Sequence, residues 1–340
     1  MSWISKRYAG LIFLFVASLL FPVFAFAQTP TGELRLTTSP LPVNLHVTPG
    51  SSVSSDFKIK NDGTSAETLK VSLMKFKADP VTGATQLLDR EPTDSYFDWV
   101  TFSEPTFTLP SNGWKTISAT FNVPSTAAFD YYYAVVFLRA NQDVKPGERQ
   151  TVLNGGTATL VLLTADVPNA KKELSLDRLT VDRNIFEFLP AAFGVTVKNT
   201  GNVHIIPHGD IFITRGNATV ATIPVNDTQG SVLPGSPRTF VSQWSDGFPV
   251  YVNREDNGKT VRELTWNFAD AAKLRFGKYT AKLVLVYDDG QRDVPVESEV
   301  SFWVIPWRII GGGMLNIVLV VGLIWYVIRL RRRLKKLQQK

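Results

Sequence analysis

Apolar and polar residues alternate in short runs through most of the chain between residues 33 and 304. Val43, Leu45 and Val47 form one such run, and a period of two is typical of half-buried strands. Denser apolar runs, which suit central strands, lie at 131–138, 159–163 and 283–287. Turn signals such as Pro49-Gly50 separate the runs. The pattern predicts an all-β fold of antiparallel, immunoglobulin-like β-sandwiches.

The carboxyl-terminal part follows another pattern. Residues 309–328 carry no charge, over the length that a helix needs to cross the hydrocarbon core of a bilayer. Trp303 and Trp307 precede this run, and Trp325 and Tyr326 close it, where aromatic rings favour the two headgroup regions. A buried core helix is the alternative, but core helices are usually shorter. We predict one transmembrane helix over 309–328.

Charges at the two ends predict the topology. Lys6 and Arg7 precede an apolar run at 11–20, and Ala25-Phe26-Ala27 supplies the small residues that a signal peptidase reads. This pattern predicts a signal peptide over 1–27. The tail at 329–340 is strongly basic, and the positive-inside rule puts such a tail in the cytoplasm. We expect a single-pass plasma-membrane protein whose amino-terminal ectodomain lies outside.

Net charge and cysteine content exclude several classes of function. The chain carries +6, but two of its 36 basic residues lie in the signal segment and seven in the tail. The remaining 27 face 30 acidic residues, so the ectodomain has a charge of about −3 and no basic surface for nucleic acid. The chain has no cysteine, which excludes disulfides, a thiol nucleophile and thiolate metal sites.

A weak internal repeat predicts two domains. The segment 55–63 resembles 193–201, since both alternate and end in Lys-Asn-x-Gly. Leu-Pro follows in each copy, at 109–110 and at 233–234, and a strand led by tyrosine completes each copy at Tyr131 and at Tyr279. We predict one immunoglobulin-like domain over 28–168 and a second over 171–305.

Unequal spacing between these landmarks predicts an insertion in each domain. The first falls at about 79–98 and the second at about 245–276, and loop elaborations often carry binding. The repeated motif itself predicts no chemistry. Asn61 and Asn199 are expected to end their strands by bonding nearby backbone, while Gly63 and Gly201 supply a positive φ for the chain reversal.

The opening of the first domain resembles a known family. Ser39-Pro40, Val47-Thr48-Pro49-Gly50 and Lys60-Asn61-Asp62-Gly63 are similar to the start of the immunoglobulin-like domain of WxL-interacting proteins of bacterial cell surfaces. The resemblance implies peptidoglycan as the partner of the first domain and a surface or host protein for the second. The same opening also resembles periplasmic pilus chaperones, but those are soluble, and the predicted span argues against them.

Candidate metal and catalytic residues are few. His204 and His208 stand four apart with Asp210 beyond, a zinc spacing on a helix, but Pro207 and Gly209 predict a turn. Asp288-Asp289-Gly290 fits calcium and equally a hairpin turn. Glu297 and Glu299 are expected on the solvated face of a strand. No nucleophile elbow or phosphate loop is recognisable, so we predict no enzyme, no metal and no cofactor.

Aromatic clusters are the candidate binding residues. Tyr96, Phe97 and Trp99 end the first insertion, and Tyr131, Tyr132 and Tyr133 begin a strand after a loop. Alternate members of such runs point away from a core, so an outward patch that binds sugar or protein is one interpretation. Packing against the insertion is the other.

These patterns predict a noncatalytic protein that displays two domains outside the plasma membrane. Its partner would be peptidoglycan or another surface protein. The alternative is an assembly, chaperone-like or signalling subunit whose partner lies in the membrane, because Asn316 and the glycines at 311–313 permit close helix packing.

Overall fold

Strands fill the chain from Leu36 to Val304, and a single long helix follows them in the computed structural model. The structure describes residues 34–79, 84–142, 156–256 and 258–338. The predicted signal peptide lies outside the described residues.

The first sandwich is formed by residues 36–165. Its strands are β1 (Leu36–Ser39), β2 (Val43–Val47), β3 (Ser52–Asn61), β4 (Glu67–Ala78), β5 (Thr85–Leu88), β6 (Val100–Phe102), β7 (Thr106–Leu109), β8 (Trp114–Asn122), β9 (Phe129–Arg139) and β10 (Gly156–Ala165), with a 3₁₀ helix at Ser95–Trp99. One sheet has the order β1-β3-β8-β6, and the other has the order β2-β10-β9-β4. β5 and β7 pair with opposite ends of β4.

The second sandwich is formed by residues 174–304. Its strands are β11 (Leu174–Val181), β12 (Ile185–Phe186), β13 (Ala191–Asn199), β14 (His208–Arg215), β15 (Ala218–Val225), β16 (Pro237–Trp244), β17 (Val250–Asp256), β18 (Lys259–Thr265), β19 (Gly277–Asp288) and β20 (Asp293–Val304), with a 3₁₀ helix at Phe268–Lys273. Its sheets have the orders β11-β13-β16 and β12-β20-β19-β14-β15, and β17 and β18 form a separate hairpin.

Both sandwiches begin with the same exchange between sheets. β1 pairs antiparallel with β3, after which β2 crosses to the other sheet and pairs parallel with β10. In the second domain β11 pairs antiparallel with β13, and β12 then crosses to pair parallel with β20. The prediction of an all-β chain of two tandem immunoglobulin-like sandwiches is therefore confirmed.

The dense apolar run of β9 is explained by burial on both faces. Tyr133, Val135 and Phe137 point between the two sheets of the first domain. Ala134 and Val136 point to the opposite face, where a second apolar cluster covers the sheet. A strand covered on both sides has no position for a polar side chain, so the period-two alternation disappears.

Two buried asparagines close equivalent strands in the two domains. Asn61 ends β3 and Asn199 ends β13, and neither is exposed to solvent. Their Nδ2 groups donate to matching main-chain oxygens: Ser65 (2.7 Å) and Leu109 (3.2 Å) for Asn61, and Val203 (2.8 Å) and Val232 (2.8 Å) for Asn199. Each Oδ1 accepts from the glycine two residues on, Gly63 or Gly201. The repeated motif therefore joins a strand end to a distant segment of its own domain.

The expectation that these glycines supply a positive φ is wrong. Neither Gly63 nor Gly201 is among the glycines with positive φ in the described residues. The requirement at Gly201 is space, because a Cβ there would lie 2.1 Å from the main-chain oxygen of Lys171. Close approach of two backbones, rather than a left-handed conformation, selects glycine at this position.

The long helix α1 (Trp307–Gln338) leaves the second sandwich directly after β20. The Ile305 amide donates to the Phe186 carbonyl (2.7 Å), and Arg308 Nε lies 3.3 Å from Glu187 Oε1. The segment Trp307–Arg332 is long and apolar enough to cross a membrane, and no part of its most apolar stretch is buried against the rest of the protein. The predicted span at 309–328 lies within this helix.

Candidate binding site between the two domains

A polar contact joins the two sandwiches at Asp130, the second residue of β9. Its carboxylate accepts from Thr164 Oγ1 (2.7 Å) and from the Tyr132 hydroxyl (2.8 Å), both in the first domain. It also accepts from the backbone amide of His204 in the second domain, and His204 Nδ1 lies 2.8 Å from Oδ2. Both side chains of this pair are nearly fully buried. Such a network fixes how the domains meet.

The same contact changes the pKa of Asp130. Burial by itself raises this pKa, but the hydrogen bond and charge of His204, together with the Thr164 hydroxyl, outweigh burial and hold the pKa below its usual value of 3.8. Asp130 therefore stays ionised at neutral pH.

An apolar contact lies beside this polar one. Leu233 of the second domain packs against the outer cluster of the first domain. The members of that cluster are Met74, Phe76, Leu87, Ala134, Val136, Leu138 and Leu162. The predicted Leu-Pro landmark at 233–234 is therefore also a part of the domain interface.

A groove of about 390 Å³ opens next to Leu233, with walls from both domains. The first domain contributes Leu41, Pro42, Phe76, Ala78, Thr85, Ala158, Leu160 and Leu162, and the second contributes Thr228, Gln229, Gly230, Ser231, Leu233 and Arg238. Most of the first-domain wall is apolar. A concave apolar surface with a few polar groups is the usual form of a binding site.

Arg238 is the cation of this groove. Its Nη1 donates to the Ser231 carbonyl (2.6 Å), and its guanidinium lies 5.2 Å from the ring centre of Phe240. Burial lowers the pKa of Arg238, and among the residues that the structure describes no carboxylate forms an ion pair with it. A partly buried guanidinium without a carboxylate is suited to receive an anionic group.

The predicted aromatic patch is largely internal. Tyr96, Phe97, Trp99, Tyr131 and Tyr133 do come together, with neighbouring ring centres 4.6–6.4 Å apart. Tyr133 is 0% exposed and Phe97 is 5% exposed, so the outward interpretation is wrong for both. Tyr96, Trp99 and Tyr131 are partly buried against the same core.

Tyr132 lies apart from that cluster. It points to the opposite face of β9, where its ring meets Phe76 edge-on at 6.0 Å and its hydroxyl bonds Asp130. Alternation along a strand sends neighbouring side chains to opposite faces, so three consecutive tyrosines do not share one patch. Tyr132 supports the domain interface instead.

The candidate metal residues have other roles. His204 pairs with Asp130, whereas His208 starts β14 with an exposed side chain. Asp288 accepts from the Gly290 amide (2.7 Å) and pairs with Lys172, and Asp289 accepts from Gln291 and Arg292, which is a hairpin turn. The described residues include no group of three or more His, Asp or Glu placed to hold a metal ion. Glu297 and Glu299 lie on the exposed face of β20, as expected.

Asp130 and Arg238 were missed by sequence reasoning. Asp130 interrupts the aromatic run 129–133 at the start of a strand, and a charged residue in an apolar run is a local signal of a specific polar partner. Arg238 carries no such signal, because the lack of a carboxylate beside it among the described residues depends on residues distant in sequence.

Comparison with known proteins concerns the fold. No protein-family model matches the chain, and no curated protein matches it in sequence. Solved structures that resemble it include the YadV chaperone, at 11% identity and a TM-score of 0.35 over 78% of this chain and 99% of that chain. The class 5 fimbriae chaperone CfaA shares 15% identity, with a TM-score of 0.35 over 68% and 100% of the two chains. The Pseudomonas aeruginosa chaperone CupB2 shares 9% identity, with a TM-score of 0.34 over 79% and 100%.

Proposed function

We propose that this chain is a membrane-anchored, noncatalytic binding protein that holds a segment of a partner protein between its two sandwiches. The observation that carries the proposal is the apolar groove with Arg238 on its wall. Apolar side chains of the partner fill the groove, and a carboxylate of the partner pairs with the guanidinium.

The membrane anchor is helix α1, with the sandwiches outside and the basic tail in the cytoplasm. Support comes from the apolar segment Trp307–Arg332 and from the basic residues that follow it. With this topology, the groove is accessible to material of the cell envelope and to proteins on the same cell surface or on a neighbouring one. An assembly role fits the same geometry, since holding a partner segment is what an assembly subunit does.

A photocrosslinking residue placed at Leu160, inside the groove, tests this function in cells that produce the full chain. We expect a discrete protein adduct that is lost in Arg238→Gln, because the variant removes the charge that selects the partner. The same crosslinker at Val241, an exposed position of β16, is the matched control. An adduct at Leu160 that is insensitive to Arg238→Gln would contradict the proposal.

Peptidoglycan is a second candidate partner, consistent with the resemblance to WxL-interacting proteins. The partly buried rings of Tyr96, Trp99 and Tyr131 favour it, because such rings can stack on sugars. Co-sedimentation of the protein with cell-wall sacculi across a salt series tests it. Retention that survives salt and falls in Trp99→Ala supports wall binding, and a protein that stays in the supernatant at low salt excludes it.

A membrane partner for the helix is the remaining alternative. Gly311, Gly312 and Gly313 leave open space on the helix surface, and small residues of this kind let helices approach closely. Scrambling the sequence of the span while keeping its hydrophobicity distinguishes a membrane partner from a partner of the sandwiches. A protein that only displays its sandwiches keeps its function, whereas a subunit of a membrane complex loses it.

A further inference from the structure

Several large apolar side chains are exposed at the end of the second sandwich where helix α1 begins. They are Trp266, Phe268, Leu274, Phe276, Trp303 and Trp307, here called the apolar collar. Phe268 is 73% exposed and Trp266 is 47% exposed, which is unusual for aromatic rings in a folded domain. A clustered exposed apolar surface marks a site of interaction rather than ordinary surface.

The strand register places most residues of the apolar collar close to the start of helix α1. Gly277 opens β19 opposite Val304, the last residue of β20, so Phe276 lies beside the chain that enters α1. Trp303 pairs with Lys278 in the same register. Leu274 and Phe276 stand directly before β19, and Trp307 is the first residue of α1.

A chain of side-chain contacts brings Trp266 and Phe268 to the same place. Arg308, the second residue of α1, approaches Glu187. Phe188, the residue after Glu187, contacts the Trp266 ring edge-on, with ring centres 6.3 Å apart. Trp266 and Phe268 stack at 6.3 Å, and Phe248 lies within 6 Å of both rings.

From this arrangement we infer that the apolar collar sits in the outer headgroup region of the membrane that α1 spans, and thereby fixes the tilt of the ectodomain. The inference rests on the proposed membrane anchoring. Aromatic rings favour the membrane interface, and Trp307 already begins the span. The collar continues that interface sideways from the helix, so the bilayer is the surface that covers it.

Charges around the collar are matched only in part. Lys273 pairs with Asp246 at 2.9 Å and with Asp270 at 3.0 Å, and Arg275 pairs with Asp246 at 2.7 Å. Lys278, opposite Trp303, is exposed, and among the described residues it forms no ion pair. The rings of the collar provide an attraction to the bilayer that does not require anionic lipid.

The absence of cysteine makes a direct test simple. Single-cysteine variants of the full chain are labelled with a fluorophore and reconstituted in phosphatidylcholine vesicles that contain a nitroxide lipid, which carries the nitroxide near the headgroup in one set of vesicles and deep in the acyl chain in a second set. Phe268→Cys and Leu274→Cys report on the collar, and Val320→Cys reports on the span. Gln291→Cys is the control, because it is exposed at the far end of β19, about 35 Å away at ~3.3 Å per residue.

We expect the headgroup nitroxide to quench most of the emission at 268 and 274, the acyl-chain nitroxide to quench most of the emission at 320, and neither to change the emission at 291. If the label at 320 is quenched but the labels at 268 and 274 are as unaffected as the label at 291, the inference about the collar is wrong and the membrane anchor stands. A label at 268 that is shielded from an aqueous quencher but not reached by lipid would also overturn it, in favour of a protein on this surface. Absence of quenching at 320 would refute the anchor itself.

Discussion

The two insertions make opposite use of aromatic side chains. In the first, Tyr96 and Phe97 turn inward and pack on Tyr131 and Tyr133, so that the insertion adds to the core of its own domain. In the second, Phe268 stays exposed and only Phe248 is buried. The difference teaches that an aromatic-rich loop on a sandwich either packs its rings on the core of its own domain or leaves them exposed.

Polar contacts accompany this difference. Within the first insertion Arg90 donates two hydrogen bonds, of 2.7 and 2.6 Å, to Asp98, and Lys75 Nζ of β4 lies 3.2 Å from the Asp94 carboxylate, so the insertion also contacts β4 through an ion pair. The second insertion forms its own hairpin, β17 and β18, whose side chains are almost all exposed. Apart from one bridge between Val250 and Leu189, the hairpin pairs with no other described strand, so its side chains have no sheet against which to pack.

The largest expected effect separates the two insertions directly. Tyr133→Ala removes a fully buried ring and should lower the free energy of unfolding of the first domain by about 3–5 kcal/mol. Phe268→Ala removes an exposed ring and should change stability by no more than about 0.5 kcal/mol. Urea titrations of the full chain in detergent measure both, and equal effects would contradict the contrast between the insertions.

The buried asparagines test whether the two domains close their strands in the same way. Asn61→Ala or Asn199→Ala leaves buried main-chain groups without partners and should destabilise its own domain by about 1–3 kcal/mol. Hydrogen exchange, read separately for each domain, measures the loss. Asn217→Ala, at an exposed turn position without a positive φ, is the control. If only one of the two substitutions destabilises its domain, the two asparagines do not contribute equally to stability.

Acid should loosen the contact between the domains. Because the pKa of Asp130 is lower in the folded protein than its usual value of 3.8, its stabilising effect is complete above that value and is lost as pH falls through the folded pKa. The distance between labels on the two domains should therefore increase below about pH 3.8. Asp130→Asn should remove this dependence.

Glu67→Gln is the matched control for the acid experiment. The Arg139 hydrogen bond lowers the pKa of Glu67 as well, but that pair lies within the first domain. The Glu67→Gln variant should therefore leave the pH dependence of the interdomain distance unchanged. The same curve for Asp130→Asn and the unmodified chain would contradict the assigned role of Asp130.

The smallest effect is expected for the exposed ion pairs of the two insertions. Arg90→Ala breaks the pair with Asp98 in the first, and Lys273→Ala breaks the pairs with Asp246 and Asp270 in the second. Water and salt screen exposed pairs, so neither variant should shift the urea midpoint beyond error at physiological salt. A clear shift in the first insertion alone would mean that its polar contacts, and not its rings, hold it in place.

The local pattern of apolar and polar residues was enough to predict the strands, the helix and their order along the chain. Alternation identified the strands, the uncharged run identified the helix, and the repeated Lys-Asn-x-Gly marked equivalent positions around Asn61 and Asn199. These signals are local because strand faces, helix length and strand ends depend on residues near in sequence. The reason for glycine at 201 escaped, since the backbone that excludes a Cβ comes from Lys171.

Only the tertiary structure decided which side chains bind and which pack. Tyr131, Tyr132 and Tyr133 are identical in sequence terms, yet the pleat and the cover on each face give them different surroundings. Asp130 pairs with His204 because the domains approach each other there, and among the described residues no carboxylate pairs with Arg238 in the groove. Burial and charge pairing between distant residues are properties of the folded chain, so one sequence read locally does not contain them.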